Sequence, residues 1–408
     1  MTDLSRRPEW EPRCAGRAER MRASEIRELL KLLDRPGIVS FAGGIPDPAL
    51  FPVEEARAAY AEVLADPALA GPALQYSVSE GYRPLRQWIV RHMADRGVAC
   101  EEDNVVITSG SQQGLEFLGR LLLSPGDTAL VTAPTYLGAL QAFSGAEPRY
   151  DELRPEDGNR TPASYVDAAR AAGGAVKFAY VVSDFANPTG ETLSLSARER
   201  LLDLSAELDI PIIEDTAYSA LRFEGEALPP IQALDVRRGG GIDAARTIYC
   251  GTFSKVLSPG LRVGWIVAGK PVIRRLVLIK QASDLNSAAL NQMVMHRLAE
   301  AAFDTQVARA SAHYRRRRDW LLAALERHMP AGVRWTRPQG GLFVWVTLPE
   351  RIDAAALLQR SLEEANVAFV PGGAFFFDGR ARNTLRLSYS LAGEAEIARG
   401  IARLARLI

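Results

Sequence analysis

Lysine is almost missing from this chain. Only Lys31, Lys177, Lys255, Lys270 and Lys280 occur, five among 49 cationic residues, and arginine supplies the rest. The bias of a GC-rich genome accounts for that, yet it makes any lysine in a chemically suggestive place stand out. Net charge is missing too. The 49 Lys and Arg balance 49 Asp and Glu, so no global field holds a polyanion, and neither nucleic acid nor an acidic membrane surface is expected as a partner. The three cysteines, Cys14, Cys100 and Cys250, are odd in number and far apart. They build neither a disulfide framework nor a zinc site. The four histidines, His92, His296, His313 and His328, have no ligand spacing, so each is expected in a surface or packing role and no metal is expected. No run of about 18 apolar residues predicts a membrane span. Residues 1–20 carry charge, Pro8 and Pro12, and lack the apolar centre of a secretion signal. These absences predict a cytoplasmic protein.

What is present is an ordinary globular composition, 47% hydrophobic and 24% charged. The length predicts two or three domains. Ser24 to Leu33 reads as a short helix, with Ser24 as N-cap and a stop at Pro36-Gly37. From about residue 100, short apolar runs alternate with helical stretches. The runs are Val105-Ile107, Ala129-Thr132, Phe178-Val182, Pro211-Ile213, Thr247-Tyr249 and Val263-Val267. Amphipathic segments such as Ser196-Leu208 lie between them, which indicates an α/β domain with a mostly parallel sheet. After about residue 290 a long Arg-rich helical stretch, Asn291 to His328, precedes strands at Gly341-Thr347, Ala368-Val370 and Thr384-Ser388. That pattern predicts a smaller α+β domain. The Arg315-Arg318 run reads as a solvated helix face.

The chemistry concentrates where the predicted strands end, the edge at which doubly wound sheets bind ligands. After Val105-Ile107 comes Thr108-Ser109-Gly110-Ser111-Gln112, a small-residue turn opening a helix. It suits either a plain N-cap or a phosphate on free N–H groups. Tyr136 follows Ala129-Thr132 and is suited to core packing or to stacking on a flat ring. Asn187-Pro188-Thr189-Gly190 follows Phe178-Val182. It is turn chemistry first, with an Asn amide able to donate to a ring oxygen or a carboxylate. Glu214-Asp215 follows Pro211-Ile213, and a carboxylate leaving a buried strand is costly unless paired with a cation. Thr252, Ser254 and Lys255 follow Thr247-Tyr249, with Arg262 seven residues beyond Lys255. A pyridoxal-phosphate site needs these parts: a lysine amine for the Schiff base, an aspartate to keep the ring nitrogen protonated, donors for the ring oxygen, and an arginine, serines and a helix N-terminus for the phosphate.

Twelve segments in order carry a family resemblance: SEIRELLKLL, SFAGGIPDPALFP, LQYSVSEGYRPLR, ITSGSQQGL, APTYLGALQAF, NPTG, EDTAY, TFSKVLSPGLRVGW, KQASDLNSAALNQM, RPQGGLFVW, VAFVPGGAFF and NTLRLSYS. The sequence resembles the fold-type-I pyridoxal-phosphate aminotransferases of class I/II, and within them the 2-aminoadipate and kynurenine aminotransferase branch. The resemblance implies an α/β fold with a mostly parallel mixed seven-stranded sheet flanked by helices, plus a smaller α+β domain. It implies an N-terminal segment over 1–45, a large cofactor-binding domain over 46–290 and a small domain over 291–408. Pyridoxal 5′-phosphate would be the cofactor, and Lys255, Asp215 and Tyr218 the catalytic set. Tyr218 and Asn187 would bond the ring oxygen, and Tyr136 would stack on the ring. Ser111, Gln112, Ser254, Arg262 and Thr252 would hold the phosphate. Arg386 would clamp the substrate α-carboxylate, close to Asn187 and the Gly43-Gly44 backbone. Tyr76 would reach the site of a second subunit, making a homodimer. Arg27 matches a helical arginine that reads side-chain carboxylates in the aminoadipate enzymes. The reaction implied is ping-pong transfer of an amino group from an L-amino acid to a 2-oxoacid.

Three positions depart from the branch. Asp184 stands where relatives usually carry an uncharged residue, Arg222 where an aromatic is common, and Asn286 where His or Cys is frequent. Asp184 is read as a turn carboxylate or as the partner of a cationic, guanidino-bearing substrate. The second reading belongs to an alternative in which the same cofactor is diverted to cyclisation, elimination or oxidation. A regulatory module is disfavoured, because the matches begin near Ser24 and leave no room for a winged helix. Lys31, Lys177, Lys270 and Lys280 are expected to be surface cations.

Overall fold

The computed structural model describes residues 10, 13–20 and 37–408. The Ser24–Leu33 helix, Lys31 and Arg27 lie outside the described residues. Among the described residues thirteen strands run in chain order: β1 (Val39–Ser40), β2 (Val105–Thr108), β3 (Thr128–Thr132), β4 (Arg149–Leu153), β5 (Val176–Val182), β6 (Ile212–Asp215), β7 (Thr247–Thr252), β8 (Gly264–Val267), β9 (Arg334–Trp335), β10 (Phe343–Thr347), β11 (Val367–Ala368), β12 (Val370–Pro371) and β13 (Thr384–Ser388).

Seven of them form one sheet in the order β2-β8-β7-β6-β5-β3-β4. All its pairings are parallel except those of β8, which lies antiparallel between β2 and β7. β2 and β6 are buried throughout, and β5 along most of its length. Sheets covered by helices on both faces demand such continuous apolar runs. The intervening helices carry their own start signals. Ser194 accepts from the Ala197 N–H at 3.1 Å to open Leu195–Leu208, and Thr161 caps Pro162–Ala171 in the same way. The predicted α/β sheet is therefore present, with one strand more than the apolar runs indicated. β4 reads RYDEL and sits at the sheet edge, paired among the described residues with β3 alone.

A 40-residue helix, Ala289–His328, follows the sheet and is about 60 Å long at 1.5 Å per residue. It packs against Val53–Ala65, Arg83–Ala94 and Glu394–Ala405. Beyond it, β12-β13-β10-β9 form an antiparallel sheet. The predicted strand at Ala368-Val370 is two strands. Val367–Ala368 pairs in parallel with β1, and Val370–Pro371 pairs with β13. β1 is thus laced into the far end of the chain, and the Phe41 carbonyl accepts from the Ser388 N–H at 2.8 Å. No helix among the described residues is long and apolar enough to cross a membrane.

Two expectations about cations fail. The Arg315-Arg318 run is not wholly solvated: Arg318 is buried, donates to the Pro338 carbonyl at 2.8 Å, and pairs with Glu224 and Asp319. Helical periodicity turns one residue in four inward, and this one meets acceptors there. Lys280 is fully buried, not a surface cation. Its ammonium finds Asp284 at 2.9 Å, Ser287 Oγ at 2.9 Å and Gln113 Oε1 at 3.3 Å, partners that offset its desolvation. His92 fills its packing role, stacked on Trp88 at 4.7 Å between ring centroids.

Candidate active site

Strand direction decides what meets at the site. β2 and β7 end at Thr108 and Thr252, and both are in register with Gly264, where antiparallel β8 begins. One sheet edge therefore gathers two strand ends and one strand start. The turn after β2 opens helix Ser111–Leu122, with Gly110 at φ 82° as its N-cap. A Cβ at Gly110 would collide with the Arg262 guanidinium, and one at Gly264 with the backbone of Gly110 and Ser111. Glycine at both places lets Arg262 fold over the free N–H groups of the helix start. Arg262 itself sits at φ 55° and donates to the carbonyls of Ser109 (3.3 Å) and Pro259 (3.2 Å). A left-handed conformation costs a residue with a Cβ about 1–2 kcal/mol, which the positioned guanidinium justifies here.

The Lys280 cluster stands behind this turn. Gln113 Oε1 accepts from the Ser109 N–H at 2.8 Å, and Asp284 accepts from Ser109 Oγ at 3.3 Å. Thr252 and Ser254 are joined by their hydroxyls at 3.0 Å. Ser111, Thr252, Ser254 and Arg262 all line one pocket, a set of donors suited to a phosphate.

The same pocket is lined by Gln112, Tyr136, Asn187, Asp215, Tyr218 and Lys255, so most of the residues singled out from sequence converge. Tyr136 Oη donates to Gln112 Oε1 at 3.4 Å, and Gln112 Nε2 donates to the Gly138 carbonyl at 2.6 Å. Lys255 Nζ donates to the Gly44 carbonyl at 3.4 Å and lies 5.5 Å from the Tyr218 ring centroid. Burial lowers its pKa from 10.5 to about 8. Asp215 opposes that shift, and Arg386 and Arg262 reinforce it.

The two strand-end carboxylates differ. Glu214 is fully buried but points away from the pocket, accepting from the Ile231 and Gln232 N–H groups at 2.9 and 3.0 Å. Burial raises its pKa, and the charge of nearby Arg198 opposes that together with the N–H groups of a helix start (Ile231–Gly239). Asp215 is 3% exposed. It accepts from Tyr180 Oη at 2.9 Å and from the Ala217 N–H at 3.2 Å. Among the described residues no cation pairs with it, and burial raises its pKa against those two donors and Lys255. A buried carboxylate in a pocket with no ion-pair partner is suited to a cationic or protonated ring nitrogen.

Arg386, on β13, is 1% exposed. Its guanidinium donates to Asn187 Oδ1 at 2.8 Å and to the Ala42 carbonyl at 2.7 Å, while Nε has no partner among the described residues. It lies 4.3 Å from the Phe343 ring centroid and 5.1 Å from that of Phe375. Burial brings its pKa down to about 10. Asn187 also hydrogen-bonds the Tyr218 hydroxyl, whose pKa burial pushes up.

Not every expected residue is gathered. Tyr76 is 80% exposed and outside the pocket. Gly43 is buried beside the Gly44 carbonyl. Asn286 donates to the Ser287 carbonyl at 3.0 Å. Asp184 is not open to a cationic substrate: Arg198 and Arg222 already hold its carboxylate, at 2.9 and 3.0 Å. Sequence reasoning missed Tyr180, Phe343 and Phe375. Tyr180 carried a usable signal, because a tyrosine inside an otherwise apolar strand must find a partner for its hydroxyl.

The family described as aminotransferase class I and II matches residues 37–404. A 2-aminoadipate transaminase of Thermus thermophilus is 44% identical over 400 residues, covering 98% of this chain and 97% of that one. An aromatic-amino-acid aminotransferase of Thermococcus litoralis is 40% identical over 405 residues, 98% and 95% of the two chains. The crystal structure of Pyrococcus horikoshii kynurenine aminotransferase, in complex with PMP, superposes with a TM-score of 0.88. It is 40% identical, with 97% of each chain covered.

Proposed function

The chain belongs to the class I and II aminotransferases, and from that premise we propose how its own residues move an amino group between an L-amino acid and a 2-oxoacid. Pyridoxal 5′-phosphate, when bound, supplies an aldehyde carbon that links to amines and a ring that draws electron density from the substrate Cα. The observation that carries the reading is Asp215, buried and without an ion-pair partner among the described residues. At about 4 Å and an effective dielectric of about 20, such a carboxylate holds a ring N–H with roughly 4 kcal/mol.

The remaining roles follow from position. Arg262, Ser111, Ser254 and Thr252, with Gln112 beside them, bind the phosphate at the start of helix Ser111–Leu122. Tyr136 covers the ring face, and Tyr218 and Asn187 donate to its ring oxygen. Lys255, freed as a neutral amine, moves the proton at the substrate Cα. Arg386 takes the substrate α-carboxylate with Asn187, and the Gly43-Gly44 backbone borders it. Tyr76 stands in an exposed apolar row with Leu74 and Val78. Such a row supports a homodimer in which Tyr76 enters the second subunit's site. The named relatives support donors among 2-aminoadipate, aromatic amino acids and kynurenine, and Arg27 is the candidate reader of a distal carboxylate. Asp184 gives no support to a guanidino substrate.

A donor and acceptor panel tests this. The holoenzyme is given each amino acid alone, and the oxoacid released is read by mass spectrometry; a second oxoacid is then added. One equivalent of oxoacid followed by amination of the acceptor is expected. A protein that releases no oxoacid and aminates no acceptor is not an aminotransferase of this kind.

A further inference from the structure

Asp184 and Arg222, apart in sequence, meet in one buried contact. Asp184 Oδ1 accepts from Arg222 Nη2 at 3.0 Å and from Arg198 Nη2 at 2.9 Å. All three side chains are largely buried, at 8%, 15% and 0% exposure in the order Asp184, Arg222, Arg198. The Arg222 guanidinium also lies 4.7 Å from the ring centroid of Phe185, the residue after Asp184.

The segments so joined carry the site. Asp184 opens the turn that presents Asn187, and Phe185 in that turn is held at φ 51°. Arg222 closes the segment that begins at Asp215 and Tyr218, tied back by the Leu221 N–H to the Tyr218 carbonyl at 2.8 Å. Arg222 also bridges to Gly340, while the Leu221 carbonyl accepts from the Gly341 N–H at 2.9 Å. Phe343, two residues further, lies under Arg386. Arg198 is anchored independently, by the carbonyls of Leu193, Pro229 and Ser183. It fixes one end of the contact, and Arg222 is the adjustable end.

We propose that Asp184 and Arg222 are positioning residues, an ion pair that sets the Asn187 amide between Arg386 and Tyr218. The inference rests on the proposed function for what Asn187 does. A left-handed aromatic residue next to a site is kept only when its surroundings determine it, and here the guanidinium covers its ring. A buried ion pair is a poor source of stability but a strict setter of geometry.

A double-mutant cycle tests it on the holoenzyme: Asp184→Ser, Arg222→Tyr, and both together. Two quantities are read, the midpoint of the pH titration of bound-cofactor absorbance and the KM for one amino donor. Loss of a donor to the ring oxygen moves the midpoint upward, since a hydrogen bond to the anionic form favours that form. Each single variant is expected to shift the midpoint up by about half a pH unit or more and to raise KM about fivefold. The double variant is expected to show no more than the effect of either single variant, because contacting residues are strongly coupled. If the singles lower Tm but leave midpoint and KM unchanged, the pair is only structural and the proposal fails. If the double variant shows the sum of the single effects, the proposal fails as well. Arg222→Gln gives the same reading should Arg222→Tyr yield no soluble protein. The titration is read on bound cofactor without turnover, so failure of this inference is distinct from failure of the proposed function.

Discussion

The neutral fraction of Lys255 is open to direct measurement. Burial takes this amine from 10.5 to about 8. At pH 7 about one-tenth of it is then neutral, against about three parts in ten thousand for an ordinary lysine, a roughly 300-fold gain in nucleophile. Apoprotein mixed with excess pyridoxal 5′-phosphate in a stopped-flow cell reports that fraction as the rate at which the covalent link forms. The rate constant is expected to climb about tenfold per pH unit up to about 8 and then flatten. Lys255→Ala forms no link at any pH. The neighbours sharpen the test because their effects have opposite signs. Asp215 holds the amine's pKa up and Arg386 holds it down. Asp215→Asn therefore moves the bend to lower pH and Arg386→Met moves it to higher pH. A rate that keeps climbing past pH 10, or bends that move together in both variants, would refute the reasoning.

Three further outcomes follow from the same contacts. Arg386→Lys removes the planar fork and one charge-assisted bond of about 2 kcal/mol, so KM for every amino donor rises about thirtyfold in steady-state kinetics; an unchanged KM places the carboxylate elsewhere. Lys280→Met leaves Asp284 without its cation and loosens Ser109 and the phosphate turn. The cofactor dissociation constant, followed by fluorescence, should rise roughly tenfold while kcat at saturating cofactor is retained. His92 is kept neutral by burial, its pKa lowered from 6.5 to about 3. The unfolded chain takes up a proton below 6.5 that the folded chain refuses. This stability is complete above pH 6.5 and is lost on acidification towards pH 3, by up to roughly 1.4 kcal/mol per unit. Urea midpoints of His92→Gln should therefore fall less steeply between pH 6.5 and 4 than those of the parent, and equal slopes would count against it.

The parts read correctly from sequence are those where one physical demand dominates. Strands buried on both faces announce themselves as apolar runs, and six of the seven in the large sheet were found in that way. β4 was missed because an edge strand with a wet face keeps Asp151 and Glu152, and its pairing partner is invisible locally. The residues after each strand were readable because chemistry and turn geometry confine them to a few types. Arg386 was identified through its family motif, but the rings that bracket it come from β10 and from the Gly372–Phe375 turn. Those contacts exist only after two distant segments meet. Lys280 misled for the same reason. Its spacing fits a helix surface, and only tertiary packing brings Ser287 and Gln113 to it.

The pairing of β1 with Val367–Ala368 has a consequence for how the protein is made. Synthesis delivers Gly44 and the Ala42 carbonyl early, Lys255 midway, and Arg386 near the end. On the ribosome, β1 waits without its partner strand while nearly the whole chain is elongated. Lys255 can emerge and even reach the sheet edge, but the backbone and guanidinium that surround it are not yet assembled. Burial is what lowers the pKa of Lys255, so its amine takes on that character only once both ends of the chain have packed around it.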